Sequence, residues 1–517
     1  MSAPQIPVGL RGRAPILIVV IAAIAGGLVA GRAHAPRSAH VASSVDAVQR
    51  SHPGALSTAW YCPGLPSSFR TRDQTITLSN LGSADADAAV TVHPDGGADP
   101  VVRRVTVPAN TVRSFDRGSL LETSRAQVTA SGTPVAATTT TRPGAKPRGS
   151  LPAGSVVVEP FSPDVVVSAG VETDAALDSA PCATTASTHW YFAAGETVRG
   201  VKQWLVLDNP FSADARVDVT LRTDVGLKEL PNLQGIDVAG RSRVVIPIHE
   251  QAVRQPRVAI EVHAIVGQVV AAQTLEYAAA AGTPGVATTL GALAQAPRWW
   301  FTDGDAREGA AQWVAVTDLS PLDAPFVVQA FIDAKTIVTP VPSKVTSGGV
   351  TWVQIGDCAR GATDCLQVPA GANYELSVQT DGKIPIVAQT LSRFRARKVA
   401  VGATTSMGST EPARRWVIAR TRVAAERETS ISVMNPDVRV EAHVSVQVVH
   451  DGIVDRPDGL QRLTLAPNGR VVLPPETAGA THQHDAAILI TADIPIYAAS
   501  TIYAAKDATR PPGIPTR

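Results

Sequence analysis

Four stretches of this chain share one pattern, an apolar strand that stops on Asn or Asp. They read QTITLSN (74–80), QWLVLDN (203–209), QWVAVTD (312–318) and TSISVMN (429–435). Side chains such as Asn80, Asn209, Asp318 and Asn435 bond to the backbone two residues on and tolerate turn conformations, so each closes its strand. Pro210 and Pro436 reinforce two of the stops. An alternating strand follows in each case: AAVTVHP, ARVDVTL, FVVQAFI and AHVSVQVV. A polar turn and an apolar run come next, as in VPANTVRSFD, VAGRSRVVIPI and LAPNGRVVLPP. A strand pair then closes the unit in VAIEVHAIVGQVVAAQTLEY (258–277), YELSVQTDGKIPIVAQTLSRF (374–394) and AAILITADIPIYAASTIYA (486–504). In the first unit, AQVTASGTPVAATTTTR (126–142) stands in that place. Matching features in a fixed order at a fixed period mark an internal repeat.

Aromatic residues make up only 4% of the chain, yet each unit opens on a tryptophan: Trp60, Trp190, Trp300 and Trp416, spaced 130, 110 and 116 residues apart. A ring in the same place in every unit points to a shared packing duty. With 40 Gly and 39 Pro, and with Val and Ala dominating the 44% hydrophobic content, the composition favours short strands joined by turns. About seven strands per unit is the count of an immunoglobulin-like sandwich, and the period is too long for propeller blades. The expected fold is all-β, with four tandem immunoglobulin-like β-sandwich modules at 58–183, 187–279, 297–396 and 413–508, following one N-terminal transmembrane helix. Stretches near 143–153, 278–297 and 395–413 read as linkers or inter-module loops.

Ala14 to Ala30 (APILIVVIAAIAGGLVA) is uncharged and flanked by Arg11, Arg13 and Arg32. That length is the lower limit for a spanning helix. Residues 1–13 are expected in the cytoplasm, 14–31 as the anchor and 32–57 as a linker. Ala33-His34-Ala35 imitates a signal-peptidase site, so secretion after cleavage is the alternative, although Pro36 disfavours the cut. In either case the polar, β-rich remainder is expected outside the cytoplasm. The cysteine count agrees, since an even set of four suits two disulfides in an oxidising compartment. Cys358 and Cys365 bracket a short loop, and Cys62 and Cys182 lie near the edges of the first module. The rival zinc reading lacks Cys-x2-Cys spacing. Charge is balanced, 46 Lys plus Arg against 45 Asp plus Glu, which argues against nucleic acid as a partner.

The hydrophobic N-terminal segment, the W-Y-x-x-x-G openings and the strands ending in Asn-Pro together resemble a family of uncharacterised actinobacterial envelope proteins, defined by a domain of unknown function. The resemblance implies an anchored or secreted envelope protein and carries no catalytic residue.

Candidate sites are few. In the strand pattern of the first and fourth units, Thr75, Thr77, Ser430 and Ser432 take the outward positions, whereas Trp204 and Trp313 take one such position in the second and third. A large ring there packs on a loop or a neighbouring module, or else it forms a stacking platform for glycan or a docking patch for protein. His482 and His484 in HQHD offer two metal ligands on one loop, short of a full set. DGDARE (303–308) reads as a charged turn rather than a calcium loop, and HPDGGADP (93–100) as a hairpin turn. There is no G-x-S-x-G elbow, phosphate loop or H-E-x-x-H. No cofactor is implied. The expected role is a non-enzymatic, membrane-anchored envelope scaffold or binding protein, with cell-wall glycan or envelope proteins as partners. The alternatives are an accessory subunit of a membrane-embedded glycan-assembly complex and an enzyme with an unrecognised site.

Overall fold

The computed structural model describes residues 59–66, 74–117, 119–120, 153–172, 177–332, 338–396, 400–421, 427–474, 485–504 and 507–516. Among these the chain is nearly all β, in multiple sheets whose pairings are antiparallel save one. Among the described residues no helix is long and apolar enough to cross a membrane, and the expected anchor at 14–31 lies outside them.

The sheets recur in one topology. In the first system, β1 (Trp60–Cys62), β2 (Gln74–Asn80), β3 (Ala86–Pro94), β4 (Val101–Val107), β5 (Thr111–Asp116), β6 (Gly154–Pro160), β7 (Val165–Glu172) and β8 (Leu177–Pro181) form sheets ordered β1-β6-β3-β4 and β5-β2-β7-β8. The second system comprises β9 (His189–Phe192), β10 (Val201–Asn209), β11 (Ala215–Thr223), β12 (Gly226–Glu229), β13 (Ile236–Val238), β14 (Ser242–Pro247), β15 (Val258–Val266), β16 (Val270–Tyr277) and β17 (Gly285–Leu290). Its sheets run β12-β11-β15-β9, with β13 also on β11, and β14-β10-β16-β17. In the third are β18 (Arg298–Asp305), β19 (Ala310–Thr317), β20 (Ala324–Phe331), β21 (Val341–Val345), β22 (Val350–Gly356), β23 (Cys365–Gln367), β24 (Asn373–Thr380), β25 (Val387–Ala396) and β26 (Ala400–Met407). These are ordered β18-β24-β20-β21 and β23-β22-β19-β25-β26.

The fourth system holds β27 (Ala413–Thr421), β28 (Arg427–Met434), β29 (Ala442–His450), β30 (Ile453–Asp455), β31 (Leu463–Leu465), β32 (Arg470–Leu473), β33 (Ala486–Ala504), β34 (Ala508–Thr509) and β35 (Ile514–Thr516). Here β33 is long enough to pair first with β27 and β29 and then with β28, so the two layers join into one sheet.

Registers bring out the common core. Trp60 stands beside Val158 and Val90, Trp190 beside Val262 and Val219, Trp299 beside Val378 and Val328, and Trp416 beside Ile490 and Val446. The indole N–H groups of Trp190, Trp299 and Trp416 donate to the carbonyls of Val269 (2.7 Å), Ile386 (2.8 Å) and Ile496 (2.8 Å). A buried indole needs such an acceptor. The third unit's core ring is therefore Trp299, not Trp300. Strand alternation turns Trp300 to the other side, against Phe331 (5.7 Å) and Tyr497 (6.1 Å) in the core of the fourth system.

The strand-closing side chains act as expected. Asn80, Asn209, Asp318 and Asn435 accept from the backbone N–H of Gly82, Phe211, Ser320 and Asp437, each two residues on. Asn80, Asn209 and Asn435 also donate to carbonyls of the next crossing strand or turn, at Val107, Val238 and Leu465. HPDGGADP is a hairpin turn between antiparallel β3 and β4.

Other expectations are corrected. In the first system the closing pair is β6 and β7, within 154–172; residues 126–142, expected there, lie outside the described residues. The stretches read as linkers at 278–297 and 395–413 contain β17 and β26. These segments, GVATTL and AVGATTSM, are small-residue strands without a bulky apolar face, so they carry no strong strand signal. They are integral to the fold. β8, β17, β26 and β34 close their sheets and touch in a cycle, β8 on β17, β17 on β26, β26 on β34 and β34 on β8. Buried Asp507 ties this hub, accepting from the N–H groups of Leu177 and Val286, both at 3.0 Å. The sheet systems thus form a closed ring: β6 meets β14, β9 meets β25, β18 meets β33, and β27 returns to β2 and β7.

Candidate functional site

All four cysteines are paired, Cys62 with Cys182 and Cys358 with Cys365. The first bond ties the strand that opens the first system to the residue after β8, beside the antiparallel bridge of Tyr61 to Ala183. The second closes the loop between β22 and β23, which run parallel.

Trp204 and Trp313 occupy equivalent strands, β10 and β19, but separate sheet systems, and the ring does not bring them together. Both are half-buried. Trp204 packs edge-on against His249 at 4.8 Å and 72°, within the short helix Ile248–Gln251. His249 Nδ1 lies 3.0 Å from the carbonyl of Gln203. Trp313 leans on Trp352 at 6.2 Å, and the Arg393 guanidinium lies 5.4 Å from its ring centre. That guanidinium is in turn ion-paired to Glu196 and sits 5.3 Å from the Tyr277 ring centre. One side of Trp313 therefore belongs to the seam between the second and third systems, and both rings are only partly exposed.

The acidic stretch at 303–308 is a turn only in its second half: residues 303–305 end β18, and 306–309 lead into β19. Asp303 and Asp305 are buried at the end of β18, where the third system meets the fourth. Asp305 accepts from Arg307 Nε (2.6 Å) and Tyr503 Oη (3.0 Å), while Arg510 Nε lies 3.9 Å from Asp303. Nearby, buried Arg470 donates to the Thr302 carbonyl at 3.0 Å and stands 3.5 Å from Glu375. Asp305 takes cationic and hydroxyl donors, and Asp303 and Glu375 face guanidinium groups at ion-pair distance; burying a charge requires such partners. His482 and His484 lie outside the described residues. No group of three or more metal-ligating side chains occurs among the described residues.

A cavity of about 40 Å³ lies where the first system meets the second. Its walls are largely apolar: Leu65, Ile76, Val156, Ala272, Leu290 and the Cys62–Cys182 bond. Arg117 and Gln74 form one polar part, and Asp178 and Thr288 another. Gln74 Oε1 accepts from Leu65 N (3.2 Å) and Arg117 Nη1 (2.7 Å). Burial and the neighbouring Arg243 pull the pKa of Arg117 down to about 9, which leaves it a cation at neutral pH. Burial pushes Asp178 up to about 7, although Thr509 donates to it at 3.1 Å. Asp208, also buried at this seam, is likewise pushed up to about 7. No motif marks this cavity, because its residues come from β1, β2, β6 to β8, β16 and β17 and meet only in the folded ring.

Comparison with known proteins adds a family without a function. The profile of a family of unknown function (DUF5719) matches residues 145–389, covering the second system and parts of the first and third. No curated protein matches the chain. Among solved structures, a tetra-tandem repeat from the extending region of a large adhesion protein is 11% identical, covering 88% of this chain and 97% of that one, with a TM-score of 0.11. The β-glucuronidase 2 of Bacteroides uniformis is 11% identical over 46% of this chain, with a TM-score of 0.11. This chain spans only 26% of that enzyme. Chicken CNTN1 FN1-FN3 domains are 9% identical over 63% of this chain and 96% of that one, with a TM-score of 0.09. Likenesses at these scores carry no argument about fold or function.

Proposed function

We propose that this chain is a non-enzymatic, membrane-anchored scaffold or binding protein of the cell envelope, made of four immunoglobulin-like modules outside the cytoplasm. The observation that carries the reading is the pairing of every cysteine in a disulfide, a chemistry that persists outside the reducing cytosol. The hydrophobic run at 14–30 supplies the anchor in this reading. A ring closed through its own cores holds its surface rigid, and rigid surfaces lose little entropy on binding. Trp204 and Trp313, both partly exposed, are its candidate contacts with glycan or protein.

The test combines fractionation with affinity. Intact cells are treated with a membrane-impermeant protease, and the crosslinked envelope is probed for retained protein. Protection of the β-rich portion in intact cells would end the extracytoplasmic reading. The double variant Trp204→Ser with Trp313→Ser is expected to lose envelope retention several-fold while keeping a cooperative thermal transition. Loss of the transition instead makes both rings packing residues.

A further inference from the structure

Each seam of the ring takes up arginine, and each supplies an acid to at least one of them. Between the second and third systems Arg393 pairs with Glu196, to which Tyr277 Oη also donates at 2.8 Å. Between the third and fourth, Arg510 lies against Asp303, and Tyr503 Oη donates to Asp305. Between the fourth and first, Arg420 donates to Glu172 (3.1 Å) and Asp485 (3.0 Å). The seam between the first and second systems holds two arginines, Arg243 and Arg117. There Arg243 is fully compensated by two bonds to Asp95, 2.7 and 2.9 Å, and by the carbonyls of Pro63 and Leu65.

Arg117, 1% exposed, is not compensated in this way. Among the described residues its one hydrogen-bond partner is the neutral Gln74, Asp95 acts on it only through space, and Nε and Nη2 are buried without a hydrogen bond. These two nitrogens share one edge of the planar guanidinium, the edge that a carboxylate takes with both oxygens at once. A buried guanidinium left open on that edge is costly unless an anion fills it.

We propose that the cavity between the first and second systems is a binding site for a small monocarboxylate, held by the Nε/Nη2 edge of Arg117 with its short apolar body against Leu65, Ile76 and Leu290. The space of about 40 Å³ admits a few heavy atoms, since one water needs roughly 10–15 Å³. A strongly hydrated dianion such as phosphate loses more on entering largely apolar walls than a monocarboxylate with a short apolar body does. Among the described residues Asp178 is the one acidic group lining the cavity, and burial holds it toward its neutral form. The inference does not depend on the envelope role.

The test uses the full-length chain in detergent and titrates it with sodium propionate by calorimetry at low ionic strength, with inorganic phosphate as comparator. Saturable one-to-one propionate binding is expected, weakened at least 10-fold by Arg117→Gln. Gln74→Glu guards against a folding artefact. Glutamate keeps both bonds that Gln74 Oε1 accepts, removes the unpartnered Gln74 Nε2 donor, and gives Arg117 an internal counter-ion. That variant is expected to melt at or above the wild-type temperature and to bind propionate at least 10-fold more weakly. No saturable propionate binding to the wild type, unchanged binding by Gln74→Glu, or preferential binding of phosphate would each overturn the proposal.

Discussion

At the scale of single residues, the buried acids set how this protein responds to pH. Asp178 is raised from its ordinary value to about 7 by burial, more than its hydrogen bonds bring it down. The folded state therefore holds a proton that the unfolded chain releases near pH 4. The stability tied to that proton is complete below the unfolded pKa and is lost as pH rises through about 7. Asp208 and Asp507 shift in the same direction for the same reason. Asp178→Asn, which has nearly the same shape and no charge, is expected to raise the melting temperature more at pH 8 than at pH 5. The gain at pH 8 is on the order of a few kcal/mol. Melting curves of the two proteins across pH 4–9 check it; an equal shift at every pH would remove titration as the cause.

At the scale of elements, the turn before β5, β14, β22 and β32 repeats one conformation. Asn110, Arg241 and Asn468 precede β5, β14 and β32 with φ of 50°, 55° and 53°, and Gly348 holds the corresponding place before β22 at 67°. Glycine and asparagine enter the left-handed region at little cost, and arginine does not. The second turn therefore carries strain that the other three avoid. Arg241→Asn is expected to stabilise the fold by about 1 kcal/mol. Urea unfolding that shows no gain would mean that the exposed Arg241 side chain makes up the difference in solution. The positions of these turns are visible in VPAN, VAGR and LAPN, but the strain is not, because a backbone angle is not written in a residue's identity.

At the scale of the whole molecule, chain connectivity divides between covalent and packed closure. The Cys62–Cys182 bond spans 120 residues and Cys358–Cys365 only 7. Chain entropy then ranks them at roughly 5 and 2.5 kcal/mol. Replacing both cysteines of the long-range pair by serine should cost clearly more stability than replacing the short-range pair, as read by thermal unfolding of the two double variants. The reverse order would show that the hub and the shared cores already confine the first system in the unfolded ensemble.

Local chemistry accounts for what the sequence determined alone. Period-two alternation marks the long strands, Asn or Asp ends them through bonds made two residues away, and a recurring tryptophan locates the core of each unit. An even cysteine set points to disulfides. All of these act within a few residues or through one recurring spacing, so a linear reading finds them. Tertiary structure decided the rest. The small-residue strands at 285–290 and 400–407 gain their role only where four sheet edges meet around Asp507. Trp299 replaced Trp300 in the core because strand register, not the count of residues, decides which ring points inward. Whether a buried arginine meets an acid or an open cavity likewise depends on which seam receives it, and closure of the ring fixes that.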